Sequence, residues 1–146
     1  MILDAKLLFS DSQDLGATSP VDSTNSVDFG VAGGIDAGTG QDLYLVTVID
    51  VVFVGAVTMT VSLEGDSTTT FTPDGIEAQY VIPATAAAGS VYFAKLNPGS
   101  AALQYRYLQV SYTSSGADLT SGEATTFITT DIDKYKAYAN GYTITG

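Results

Sequence analysis

The chain has no histidine and no cysteine, and this limits the chemistry open to it. Without His there is no ordinary base near neutral pH, no Ser-His-Asp triad and no imidazole for a transition metal. Without Cys there is no thiol nucleophile, no disulfide framework and no thiolate for structural zinc. What remains is carboxylate chemistry. The 16 acidic residues include Asp28, Asp50, Glu64 and Glu77, and two carboxyls at the right separation can act as acid and base on a glycoside. Most of these fall on polar strand faces or at strand ends, where solvated surface charge is the plainer reading. The expectation is a protein that is not an enzyme and carries no cofactor. Oxygen-rich clusters at Asp11 and Asp14, Glu64 and Asp66, and Asp131 and Asp133 raise the question of calcium, which takes roughly six to eight oxygens. None matches a calcium-loop spacing, so turn and capping roles are expected for them. Gly33-Gly34 and Gly38-Thr39-Gly40 lack the Lys-Ser/Thr and the helix of a phosphate loop, and read as turns.

The aromatic residues are the other candidates. Tyr105 and Tyr107 alternate with Arg106, so both tyrosines share one face of an extended segment. Such a strip could bind sugar, meet another protein, or lie under a second sheet. Tyr135, Tyr138 and Tyr142 are spaced by three and four, which on a helix is one face, but Asn140-Gly141 would end a helix. They suit an irregular arm laid on a neighbour, or one folded back onto its own domain. Lys134 and Lys136 flank Tyr135 and are two of only five cations. The opposite end carries Ile2, Leu3, Leu7, Leu8 and Phe9. Chain ends are usually polar and frayed unless tied down, so apolar ends point to docking. The expected partner interface is Ile2, Leu3, Leu7, Phe9, Tyr105, Tyr107, Lys134, Tyr135, Lys136, Tyr138 and Tyr142.

The elements that position these residues follow a period of two. Val57, Met59, Val61 and Leu63 alternate with Thr58, Thr60, Ser62 and Glu64; Ile76, Ala78, Tyr80 and Ile82 alternate with Glu77, Gln79 and Val81. Both read as half-buried strands. Val27, Phe29 and Val31 show the same alternation. Leu108, Val110 and Tyr112 share one face of a further strand, and residues 91–96 and 124–130 complete the set. Residues 43–54 are apolar on both faces and predict a central strand or one covered by another subunit. The longest apolar stretch, 51–57, reads as buried strand. Turn signals such as Gly65-Asp66-Ser67, Pro73-Asp74-Gly75 and Asn97-Pro98-Gly99 recur about every ten residues, the spacing of a sandwich or barrel. Roughly eight strands predict an all-β, jelly-roll-like β-sandwich with extended N- and C-terminal arms. The expected organisation is a single domain over 1–146: arm and loop at 1–25, sandwich at 26–130, arm at 131–146.

Composition narrows the function further. The 146 residues are 45% hydrophobic and 14% charged, enough to bury one core. Sixteen acids against five bases give a net charge of −11. Nucleic acid and anionic lipid both demand a basic footprint, so neither is expected as a partner, and no stretch approaches the roughly 20 apolar residues of a membrane span. A homo-oligomer of such a chain must be held by apolar contact.

The segments MILDAKLLFSDSQ, TVSLEGDS, YRYLQVSYT and FITTDIDKYKAYANGYTI resemble the capsid cement (decoration) proteins of short-tailed bacteriophages, of the kind found on Bordetella phages. The resemblance implies a structural virion protein. Such a protein is made in the host bacterial cytoplasm, binds the outside of an icosahedral head, and clamps neighbouring major capsid subunits together. It also implies a homodimer at local two-fold axes, for which residues 43–54 or the Tyr105–Tyr107 face would supply the contact. The alternative is a carbohydrate- or receptor-binding β-sandwich module of a phage particle, weakened by the absence of Trp.

Overall fold

The computed structural model describes residues 5–30, 42–72, 74–96, 105–130 and 132. Among these residues a 3-10 turn at Ala5–Leu7 is followed by nine strands: β1 Leu8–Asp14, β2 Val21–Asp22, β3 Val27–Asp28, β4 Tyr44–Val54, β5 Thr58–Asp66, β6 Gly75–Pro83, β7 Val91–Lys95, β8 Tyr107–Ser115 and β9 Ser121–Thr129. They form two antiparallel sheets, β1-β9-β4-β7 and β2-β8-β5-β6. The short β3 also pairs with β8, so β2 and β3 together fill one edge position. With that pair counted once, the order is that of an eight-stranded jelly roll. The expected β-sandwich is the fold.

The alternating pattern explains the core. Met59, Val61 and Leu63 of β5 are buried, as are Leu108, Val110 and Tyr112 of β8 and Leu45 and Ile49 of β4. Together with Phe9, Ile82 and Ile128 they make one cluster between the sheets. β4 is central, flanked by β9 and β7, and Val46 and Val48 on its outer face are buried as well as Leu45 and Ile49 on its inner one. A polar seam crosses this core. The Tyr112 hydroxyl lies 2.6 Å from Ser10 Oγ, and Ser10 Oγ accepts from the Thr126 backbone N–H at 3.1 Å. Thr47 Oγ1 lies 2.7 Å from both the Tyr80 hydroxyl and Thr126 Oγ1. Each hydroxyl of this seam thereby has a partner, which burial favours. Burial also pushes the Tyr112 phenol up to about 12.

Within the expected N-terminal arm and loop over 1–25, Leu8–Asp14 and Val21–Asp22 are strands of the sandwich. β1 pairs with β9, and β2 with β8. Phe9 is a fully buried core residue and no partner contact, and Leu7 packs half-buried against the same core. A register shift between Leu8 and Ser10 explains this: the extra residue turns both Phe9 and Ser10 inward. A second shift, beyond Leu63, sets Ile76 opposite Glu64, so Ile76 leaves the core face on which the alternation placed it and is 56% exposed. Ile2, Leu3, Lys134, Tyr135, Lys136, Tyr138 and Tyr142 lie outside the described residues.

Candidate functional site

Because β1 runs antiparallel to β9 with Leu8 opposite Phe127, the chain enters and leaves the sandwich side by side, at one end. Tyr105 and Tyr107 lie at that end as well. Asp28 of β3 pairs with Tyr107, and Arg106 joins them: its Nε donates to Asp28 Oδ1 at 2.8 Å and its Nη2 to Oδ2 at 2.9 Å. The Arg106 guanidinium also lies 4.9 Å from the centre of the Tyr107 ring, a cation–π distance. This ion pair, with a further hydrogen bond from the Gly30 N–H, holds the Asp28 carboxyl below its ordinary range. An open groove of about 650 Å³ follows, lined by residues that include Lys6, Leu7, Leu8, Val27, Asp28 and Phe29. The structure therefore brings Leu7, Tyr105 and Tyr107 to one end. It does not leave the two tyrosines as a bare aromatic strip, since Arg106 covers part of Tyr107 and β8 begins only at Tyr107.

The opposite end carries residues that sequence reasoning placed in the core. Val51, Val52 and Val54 of β4 are exposed, and Val57, beyond the turn at Gly55, is 67% exposed. Register shifts between Ile49 and Val51, and between Val51 and Val54, break the alternation there. Within this run Phe53 turns inward, and Ala56 packs half-buried against the core. The signal was present in Asp50 and Gly55, which bracket Val51, Val52 and Val54 with residues ill-suited to a buried strand. Thr58 pairs with Ser115 and Asp66 with Tyr107. The valine tip and the tyrosine end are thus separated by the length of β5, roughly 27 Å at about 3.4 Å per residue.

The carboxylates serve local structure. Asp66 Oδ1 accepts from the Thr68 N–H at 2.6 Å and the Thr68 hydroxyl at 2.9 Å, while Oδ2 accepts from the Thr72 N–H at 2.6 Å. These bonds hold its carboxyl below the ordinary value. Asp14 Oδ1 accepts from the Gly16 N–H at 2.8 Å in a turn. Asp50 accepts from the Thr125 hydroxyl at 2.7 Å, and Thr125 in turn accepts from the Ser12 N–H at 2.9 Å. Glu64 is half-buried, and desolvation, with the nearby Asp22 charge adding to it, raises its pKa. Among the described residues no group of three or more Asp or Glu is placed to hold a metal ion, and no helix is long and apolar enough to cross a membrane.

The sandwich thus exposes four valines at one end, and at the other β1 begins and β9 closes. Residues 9–128 match the model of the Bbp16 family. The chain belongs to that family, a bacteriophage protein family, in keeping with the resemblance read from its segments. The match begins within β1 and closes within β9, so it covers the sandwich. No curated protein matches the chain.

Proposed function

We propose that this protein is a capsid cement protein. It binds the outside of an icosahedral phage head and holds neighbouring major capsid subunits together without enzymatic activity. The observation that carries the reading is the exposure of four valines, Val51, Val52, Val54 and Val57, at one end of a body of net charge −11, in a chain of a phage protein family. Large exposed apolar areas on a protein surface commonly mark where a partner docks. The second contact region is the end where the chain enters and leaves, with Leu7, Tyr105 and Tyr107. Two regions about 27 Å apart, at about 3.4 Å per strand residue, let one rigid body touch two subunits, and the second contact then gains from effective concentration. A homodimer at a local two-fold axis doubles the number of contacts. A carbohydrate-binding role gains no support, because Arg106 occupies part of the ring surface that a sugar would need.

The test is co-sedimentation with empty shells of the cognate phage. The wild-type protein should saturate at a fixed ratio to the major capsid protein and raise the temperature at which shells rupture. Val54→Glu with Val57→Glu should fold normally, since both sites are exposed, and lose at least tenfold in affinity. Absence of wild-type binding at micromolar concentration would overturn the cement reading, and undiminished binding of the double variant would remove the valine tip from it.

A further inference from the structure

The outer face of the β2-β8-β5-β6 sheet holds carboxylates that no cation meets among the described residues. Residues opposite one another in a ladder share a face, and the register sets Asp22, Ser111, Ser62 and Gln79 in one row across all four strands. Gln109 and Glu64 stand opposite each other in the next row. This is the face turned away from the core, since Val61, Leu63, Val110 and Tyr112 alternate with these residues and are core. Asp22, Gln79, Val81 and Thr113 are exposed, so the face is open. Ser62 and Ser111 are nonetheless only 4% and 5% exposed. They are the shortest side chains of their row and sit below the longer ones around them.

Two features of this place point to a ligand. Ser62 Oγ accepts from Gln79 Nε2 at 3.0 Å, whereas the Ser111 hydroxyl, more than nine-tenths buried, has no hydrogen-bond partner among the described residues. A buried hydroxyl ordinarily has one. The second feature is charge. Asp22 and Glu64 stand on either side of Ser111, on strands about 10 Å apart at about 4.8 Å per strand spacing, and neither carboxylate has a hydrogen bond or ion pair there. Desolvation and the Asp22 charge both raise the Glu64 pKa, as they must where no cation compensates. Elsewhere the chain supplies the cation itself: Arg106 forks onto Asp28, and Lys95 Nζ lies 2.7 Å from Asp42 Oδ1.

We infer that the Asp22–Ser111–Glu64 patch receives an arginine side chain from a basic segment of another protein. A guanidinium is planar and presents five N–H donors in a fork. Laid over Ser111, it donates to Asp22 on one side and Glu64 on the other, while Ser111 Oγ accepts a further bond, and all three groups are satisfied. An ammonium is a compact, strongly hydrated charge and serves two separated carboxylates less well. Charge-assisted bonds are the stronger class, and the net charge of −11 draws a basic segment to the face. This inference does not depend on the cement reading.

The test is an amide NMR titration of the full chain with a capped tripeptide carrying one central arginine. Saturable shifts should centre on Asp22, Glu64, Gln109 and Ser111, and the lysine analogue should bind severalfold more weakly. Glu64→Gln should weaken binding severalfold. Asp11→Asn, which removes one exposed charge from β1, should change it little. Equal weakening by the two variants, or shifts spread over the whole acidic surface, would overturn the patch in favour of general attraction to a negative body. Equal binding of the lysine analogue would overturn the assignment to a guanidinium, and no saturable shift at tens of millimolar peptide would overturn the inference outright.

Discussion

Single residues in this protein change meaning with their neighbours. Phe9 stands in an apolar N-terminal segment that reads as a docking arm, yet it lies wholly inside the sandwich. Phe9→Ala should therefore cost about 3–5 kcal/mol of stability, the usual loss for a buried ring, measured by urea denaturation. A variant as stable as the wild type would return Phe9 to the surface. Glu64 offers a test of opposite sign. Its carboxyl is raised above its ordinary value by desolvation and then by Asp22, so the fold disfavours the charged form. The resulting cost is full above the folded pKa and vanishes as pH falls below the unfolded value. Glu64→Gln should thus raise the melting temperature at pH 7 and lose that advantage near pH 3. A variant that melts lower at pH 7 would show that the carboxylate makes a favourable contact outweighing its desolvation.

At the scale of elements, bulges decide which side chains are inside. β1, β4 and β6 each have a register shift where a regular strand would have put a different residue in the core. One glycine shows how tightly the β4 and β9 ends fit. Gly122 of β9 has φ +146, and a Cβ there would come 2.5 Å from Phe53 Cδ1 and 3.2 Å from Phe53 Cα. Gly30, also at positive φ, has open space around it. Gly122→Ala should cost about 1–3 kcal/mol through overpacking and strain, and Gly30→Ala clearly less; thermal melts of the two variants side by side compare them. Equal losses would mean that backbone conformation alone, and not Phe53, governs the site.

At the scale of the whole molecule, charge and shape pull apart. Net −11 keeps copies from associating through charge, while the valine tip supplies apolar area. Shell binding through that tip should persist at about 1 M salt, where the Debye length is only about 3 Å; a steep loss of co-sedimentation with salt would assign the contact to ion pairs instead. The sequence by itself determined the all-β class, the jelly-roll expectation and the inward faces of β5 and β8, because a period of two states which side chains need burial wherever a strand is regular. It also determined the lack of imidazole and thiol chemistry, which is a matter of composition. Only the tertiary structure decided that the Leu8–Asp14 segment is an edge strand, that the valines of β4 reach the surface, and that Arg106 lies over Tyr107. Each of those depends on pairing between residues far apart in the chain, and a one-residue shift in such a pairing exchanges inside for outside.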